Sequence, residues 1–106
     1  MLERVQRRIH QPIAISEMAR WAAMSERTFI RRFRATTGMT PGDWITHVRV
    51  ARAKDLLERT SLAIEKVASQ SGLGTATTMR HHFRKRVGLS PIEYRKRFSQ
   101  VADRAS

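Results

Sequence analysis

Apolar residues return every three or four positions along almost the whole chain, and glycine and proline interrupt them at only a few places. That period belongs to helices with one buried face. No run of β-branched residues alternates with polar ones long enough to make a strand. The pattern therefore predicts an all-α fold of seven helices.

The first predicted helix runs from Leu2 to Ile9, with Leu2, Val5 and Ile9 on one face. Ser16 is the expected cap of a second, reaching about Met24 with Met18, Ala19, Ala22 and Ala23 turned inward. Ser25 caps a third, about Glu26 to Thr37, which buries Phe29 and Phe33 and stops at Gly38. Thr40 and Pro41 open the longest helix, to about Glu58, with Trp44, Ile45, Val48, Ala51, Leu56 and Leu57 available to a core. Ile64, Val67 and Ala68 mark a fifth that ends at Gly72. A sixth, about Ala76 to Val87, buries Met79 and Phe83 and closes at Gly88. Ser90 and Pro91 begin the last, which contains Tyr94 and Phe98, and a frayed polar tail is expected beyond it.

Two stretches about fifty residues apart match each other. Gly38, Thr40, Pro41 and Trp44 correspond to Gly88, Ser90, Pro91 and Tyr94, while Phe29 and Phe33 correspond to Met79 and Phe83. Ala19 and Ala68 hold equivalent places upstream, with one extra residue assigned to the turn of the second unit. A short helix, a tight turn and a basic helix form the layout of a helix-turn-helix, whose second helix enters the major groove of DNA. The units are placed at about residues 13–38 and 62–88, joined by a linker helix at about 41–59, all within one domain covering 1–106. A duplicated hairpin in an ordinary helical bundle is the competing interpretation.

Charge separates these two. Lysine and arginine total 21 against 9 acidic residues, a net charge of +12. Residues 1–59 hold 12 basic and 6 acidic residues and residues 60–106 hold 9 and 3, so the excess belongs to both repeats. Such a balance points to a polyanion or an anionic surface as partner. A linker helix of about 27 Å and its flanking turns suit two recognition helices about 34 Å apart, one turn of B-DNA. The absence of cysteine excludes disulfides, thiolate zinc sites and cysteine nucleophiles. No apolar stretch is long enough for a membrane span or a secretion signal, so a cytoplasmic location without membrane contact is expected.

The tract from Arg49 to Leu57, the Ile64-Glu65-Lys66-Val67-Ala68 and Gly72-Leu73 segments, and the run from Phe83 to Arg95 together resemble the AraC/XylS signature. The resemblance covers about Ile9 to Phe98 and implies a transcription activator or repressor with a seven-helix, double helix-turn-helix domain. Thr75 to Arg84 is further similar to a branch that carries an amidotransferase-like domain upstream. Implied partners are double-stranded DNA and RNA polymerase, with dimerisation through a domain outside these residues. No cofactor is implied.

On the third helix the face opposite Phe29 and Phe33 carries Arg27, Ile30, Arg31 and Arg34. The family pattern assigns base contacts to Arg27, Ile30 and Arg31. Arginine can fork onto guanine, and isoleucine can rest on a thymine methyl. On the sixth helix the pattern assigns base edges to Thr77, Thr78 and His81, with weaker discrimination from their shorter side chains. DNA backbone contacts are expected from the Ser25 and Thr75 caps and from Arg34, Arg49, Arg52, Arg80, Arg84, Lys85, Arg86 and Arg95. Arg49 and Arg95 equally suit internal bracing.

Two positions depart from the family pattern: Ala23 where glycine is easier, and Leu73 where an aromatic residue is usual. His81 and His82 diverge by about 100° on a helix and cannot share a metal ion. An enzyme is disfavoured because no paired carboxylates, activated nucleophile or phosphate loop occurs at a workable spacing. A basic helical module for RNA or an anionic membrane is the other rival. It lacks aromatic platforms and a broad unpartnered apolar face.

Overall fold

A computed structural model describes residues 2–101, the side chain of Leu2 excepted. Among them are α1 (Leu2–Arg7), α2 (Ile15–Trp21), α3 (Glu26–Thr37), α4 (Pro41–Arg59), α5 (Ile64–Ser71), α6 (Ala76–Arg86) and α7 (Pro91–Phe98), with no strand. The fold is all-α, as the spacing predicts. Two compact units divide it, one up to Val48 and one from Arg49 onward, so the boundary falls inside α4.

The first unit packs Val5, Ile9, Met18, Ala19, Phe29, Phe33 and Ile45 together, with Trp44 and Val48 against them. The second packs Val50, Ala53, Leu56 and Leu57 of α4 with Val67, Ala68, Leu73, Met79, Phe83 and Tyr94. Ala51, expected in the core, is exposed, while Val50 and Ala53 are buried. One helix here serves two cores, so its apolar stripe changes course along its length and a single 3.6-residue stripe misplaces the middle.

The repeat reappears as matched packing. Phe33 meets Trp44 edge-on at 6.0 Å between ring centroids, and Phe83 meets Tyr94 edge-on at 5.9 Å. This tilted geometry suits the aromatic quadrupole. The connection between α2 and α3 and that between α5 and α6 both hold four residues. Counted from the left-handed residues Ala23 and Gly72, each four residues after the matching alanine, the caps Ser25 and Thr75 follow two and three residues later, so the extra residue of the second unit lies in its turn, as expected.

Helix α2 differs from expectation at both ends. Ala14 is its N-cap, with no side-chain hydrogen bond, and Ser16 lies exposed inside the helix. The chain leaves the helix after Trp21, and Ala23 is exposed with φ 57°, where the second unit has Gly72 at φ 89°. A left-handed alanine costs about 1–2 kcal/mol. Glycine removes that strain but adds roughly 0.4–1 kcal/mol of unfolded-state entropy. Ala23→Gly is thus expected to stabilise the first unit by about 0.5–1 kcal/mol, which chemical denaturation can measure; a destabilised variant would contradict the strain.

At the other end, Ser90 and Glu93 form a reciprocal capping box in front of α7, with Pro91 in its first turn. The Tyr94 hydroxyl donates to the Glu58 carboxylate, and burial followed by that bond pushes its pKa up to about 12. Arg95 donates to the carbonyls of Leu57 at 3.3 Å, Thr60 at 3.3 Å and Leu62 at 2.7 Å, the last turn of α4 and the segment after it. The Gln100 N–H also donates to the Glu58 carbonyl at 2.8 Å, so the start of the tail is tied down. The expectation for the remaining tail lies outside the described residues.

Candidate nucleic-acid interface

Helix α3 buries Phe29 and Phe33 and turns Arg27, Arg31 and Arg34 outward, with Ile30 half-buried among them. Its start is fixed by Ser25, whose Oγ accepts the Thr28 N–H at 3.2 Å and donates to the Thr28 hydroxyl at 2.9 Å. At the other end Gly38 adopts φ 79° and returns its N–H to the Arg34 carbonyl. Both ends of the helix are thereby set, which orients the arginines between them.

Helix α6 is built alike. Met79 and Phe83 face the core, and Thr77, Thr78, Arg80, His81 and Arg84 are exposed. Thr75 Oγ1 accepts the Thr78 N–H at 3.2 Å and donates to the Thr78 hydroxyl, also at 3.2 Å. Thr78 keeps its own hydroxyl proton to donate outward. A further partner was not anticipated: Glu65 of α5 accepts the Ala76 N–H at 3.3 Å. No capping rule within α6 points to a carboxylate eleven residues upstream. Arg32, exposed beside the named arginines of α3, was also not anticipated, although its charge alone marks it.

His81 is exposed and His82 is half-buried, their rings edge-on at 5.5 Å between centroids. Among the described residues no three histidine or acidic side chains converge to hold a metal. The Nδ1 of His82 is buried without a hydrogen-bond partner. Burial, then Arg86, His81 and Lys85, lower its pKa. The unfolded chain therefore takes up this proton first. The contribution of His82 to stability is full above its unfolded pKa of about 6.5 and is lost as the pH falls toward the lower folded value. His82→Leu removes both this loss and the unpartnered atom, and is expected to stabilise the protein by about 1 kcal/mol in mild acid. Thermal unfolding across that range checks it; a variant with the parent's pH profile would contradict the assignment.

The protein-family model described as "Helix-turn-helix domain" matches residues 18–97. The chain belongs to that family. It is of the AraC type, as the sequence signature implies. The helix-turn-helix transcriptional regulator Rv1931c of Mycobacterium tuberculosis is 44% identical over 85 residues, 80% of this chain and 33% of the relative. The activator RhaR of Escherichia coli K12 is 28% identical over 100 residues, 94% of this chain and 36% of the relative. The chain thus spans about a third of the length of these curated relatives. Among solved structures, the DNA-binding domain of AdpA in complex with a target DNA superposes with a TM-score of 0.86 at 35% identity, covering 92% of this chain and 87% of that one. An AraC-type regulator from Chromobacterium violaceum shares the fold, with a TM-score of 0.85 at 23% identity over 94% and 89% of the two chains.

Within this helix-turn-helix domain the cations divide into two groups. Ion pairs occur at Arg7 with Glu3, Arg8 with Glu17, and Arg52 and Arg59 with Asp55, all on α1, the residue after it, α2 and α4. No ion pair holds Arg27, Arg31, Arg34 or Arg80 among the described residues. Arg8 and Arg4 also lie over the Trp21 ring at 5.7 and 5.0 Å, and the Arg8 bond holds the Glu17 pKa below the usual carboxylate value. Arg95, expected equally at the DNA backbone or in internal bracing, braces the end of α4. Burial lowers its pKa and that of half-buried Arg49. Lys85 and Arg86 are exposed on the last turn of α6.

Proposed function

We propose that the domain binds double-stranded DNA sequence-specifically as the reading part of a transcription regulator, with α3 and α6 each entering the major groove. The observation that carries this is the duplicated frame. Both helices start at a hydroxyl cap, bury an aromatic or methionine pair, and offer an outward face with free hydrogen-bonding groups. Arginine forks and threonine hydroxyls are suited to base edges, and exposed cations are suited to phosphates. Membership of the helix-turn-helix family and likeness to the DNA-bound AdpA domain support the same reading.

On this reading Arg27, Ile30 and Arg31 meet bases from α3, and Thr77, Thr78 and His81 meet them from α6. Arg34, Arg52, Arg80, Arg84, Lys85 and Arg86 meet phosphates, together with the Ser25 end of α3. Arg49 joins them only through whatever part of its guanidinium stays accessible, and Arg95 is left out. The two surfaces are unequal, because α3 brings arginines where α6 brings hydroxyls and an imidazole. The domain acts by binding, without a chemical step, in the cytoplasm. Contacts with RNA polymerase, dimerisation and an upstream amidotransferase-like domain would belong to a longer protein.

Selection of bound sites from random duplexes tests the reading. Two enriched blocks about one helical turn apart are expected, the sharper one assigned to α3 by its response to Arg31 substitution. Competition with structured RNA and with anionic vesicles belongs in the same experiment. No enriched sequence, or equal displacement by either competitor, would sink the proposal.

A further inference from the structure

The two recognition helices differ at their starts. Each begins with backbone N–H groups that α-helical bonding leaves open, a positive end that ordinarily attracts phosphate. Helix α3 carries Glu26 in its own first turn, but among the described residues that carboxylate takes none of the open N–H groups, whereas α6 has no acidic residue of its own there. Glu65 supplies the missing carboxylate from α5, its Oε1 accepting the Ala76 N–H at 3.3 Å. Its side chain is exposed, so the negative charge stands at the surface that a DNA strand would approach.

We infer that Glu65 holds the place of a phosphate at the start of α6, excluding DNA backbone from that helix end and limiting affinity for all sequences alike. The inference rests on α6 lying against DNA. It reverses the expectation that the Thr75 end is a phosphate site. An ionised carboxylate already bonded to Ala76 repels a second anion, and the pairing leaves Thr75 to cap Thr78 alone. The docking of α6 then depends on its outward side chains, namely Thr77, Thr78, His81 and the neighbouring arginines, more than on its dipole. Glu65 is thus a positioning residue that acts on the placement of α6 without reading a base.

Glu65→Gln tests this, because the amide carbonyl still accepts from Ala76 while the charge is gone. Duplex binding is expected to strengthen about two- to fivefold for preferred and random sequences equally. The slope of log affinity against log salt should steepen by up to about one unit as a phosphate takes the vacated place. Glu65→Ala should act in the same direction, and helix content by circular dichroism should stay at the parent's level for both. Arg80→Ala and Arg84→Ala are run alongside and should weaken all sequences. If these weaken binding while both Glu65 variants match the parent in affinity and salt slope, the inference fails and the groove placement stands. If all four are silent, the placement of α6 fails and takes the inference with it. A change in preference at a single base pair on Glu65→Gln would make Glu65 a base reader and overturn the inference as well.

Discussion

Arg31→Ala is expected to weaken binding to the preferred duplex by about 1–3 kcal/mol, roughly five- to 150-fold, and to relax preference at one base pair. Arg31 lies on the face of α3 opposite Phe29 and Phe33, exposed and outside every ion pair found among the described residues. Its fork therefore has no internal bond to give up before it meets guanine O6 and N7. Lysine in its place should recover part of the affinity for random DNA and little of the preference, because an ammonium is a point charge without the planar fork. Arg34→Ala offers the contrast. As a phosphate contact it should weaken all sequences alike and flatten the salt slope by about one unit. Titrations of matched and randomised duplexes at several salt concentrations separate the two patterns, and unchanged affinity and preference for Arg31→Ala would remove α3 from the groove.

Phe83→Ala should be the most damaging single change to the fold. The ring is fully buried, touches Tyr94 edge-on and belongs to the core of the second unit. Truncating a buried phenylalanine costs about 3–5 kcal/mol, against a total stability of about 5–15 kcal/mol for an ordinary domain. The two cores share no residue, so the loss should fall first on the second unit. Hydrogen exchange is expected to show protection dropping in α5, α6 and α7 while α2 and α3 keep theirs. Equal loss in both sets would mean that the chain unfolds only as a whole.

The helices were legible from spacing because most of them answer to one buried face. Ser25, Gly38, Thr75 and Ser90 each set a helix end where side-chain chemistry alone decides it. Ser16 misled because α2 is fixed by the packing of Ile15, Met18 and Ala19, not by a cap. Ala51 misled because α4 has two cores to satisfy. The outward faces of α3 and α6 were readable by subtraction, once Phe29, Phe33, Met79 and Phe83 were assigned inward. Glu65 and Arg95 were not readable in that way. Their partners lie on other helices, Ala76 for one and the end of α4 for the other, and only the folded chain brings them together.

The clasp made by Arg95 also sets an order of events during synthesis. Its bonds close loops of 38, 33 and 35 residues, back to Leu57, Leu62 and Thr60. The core of the first unit, by contrast, is complete once Val48 has been added. A nascent chain emerging from the ribosome can consequently settle its amino-terminal half while the other half still lacks its fastener. Domains commonly fold in this sequence during translation. A stalled nascent chain in which residues up to about 60 to 90 have emerged from the ribosome should accordingly display a protease-resistant first unit ahead of a second unit that still yields to cleavage.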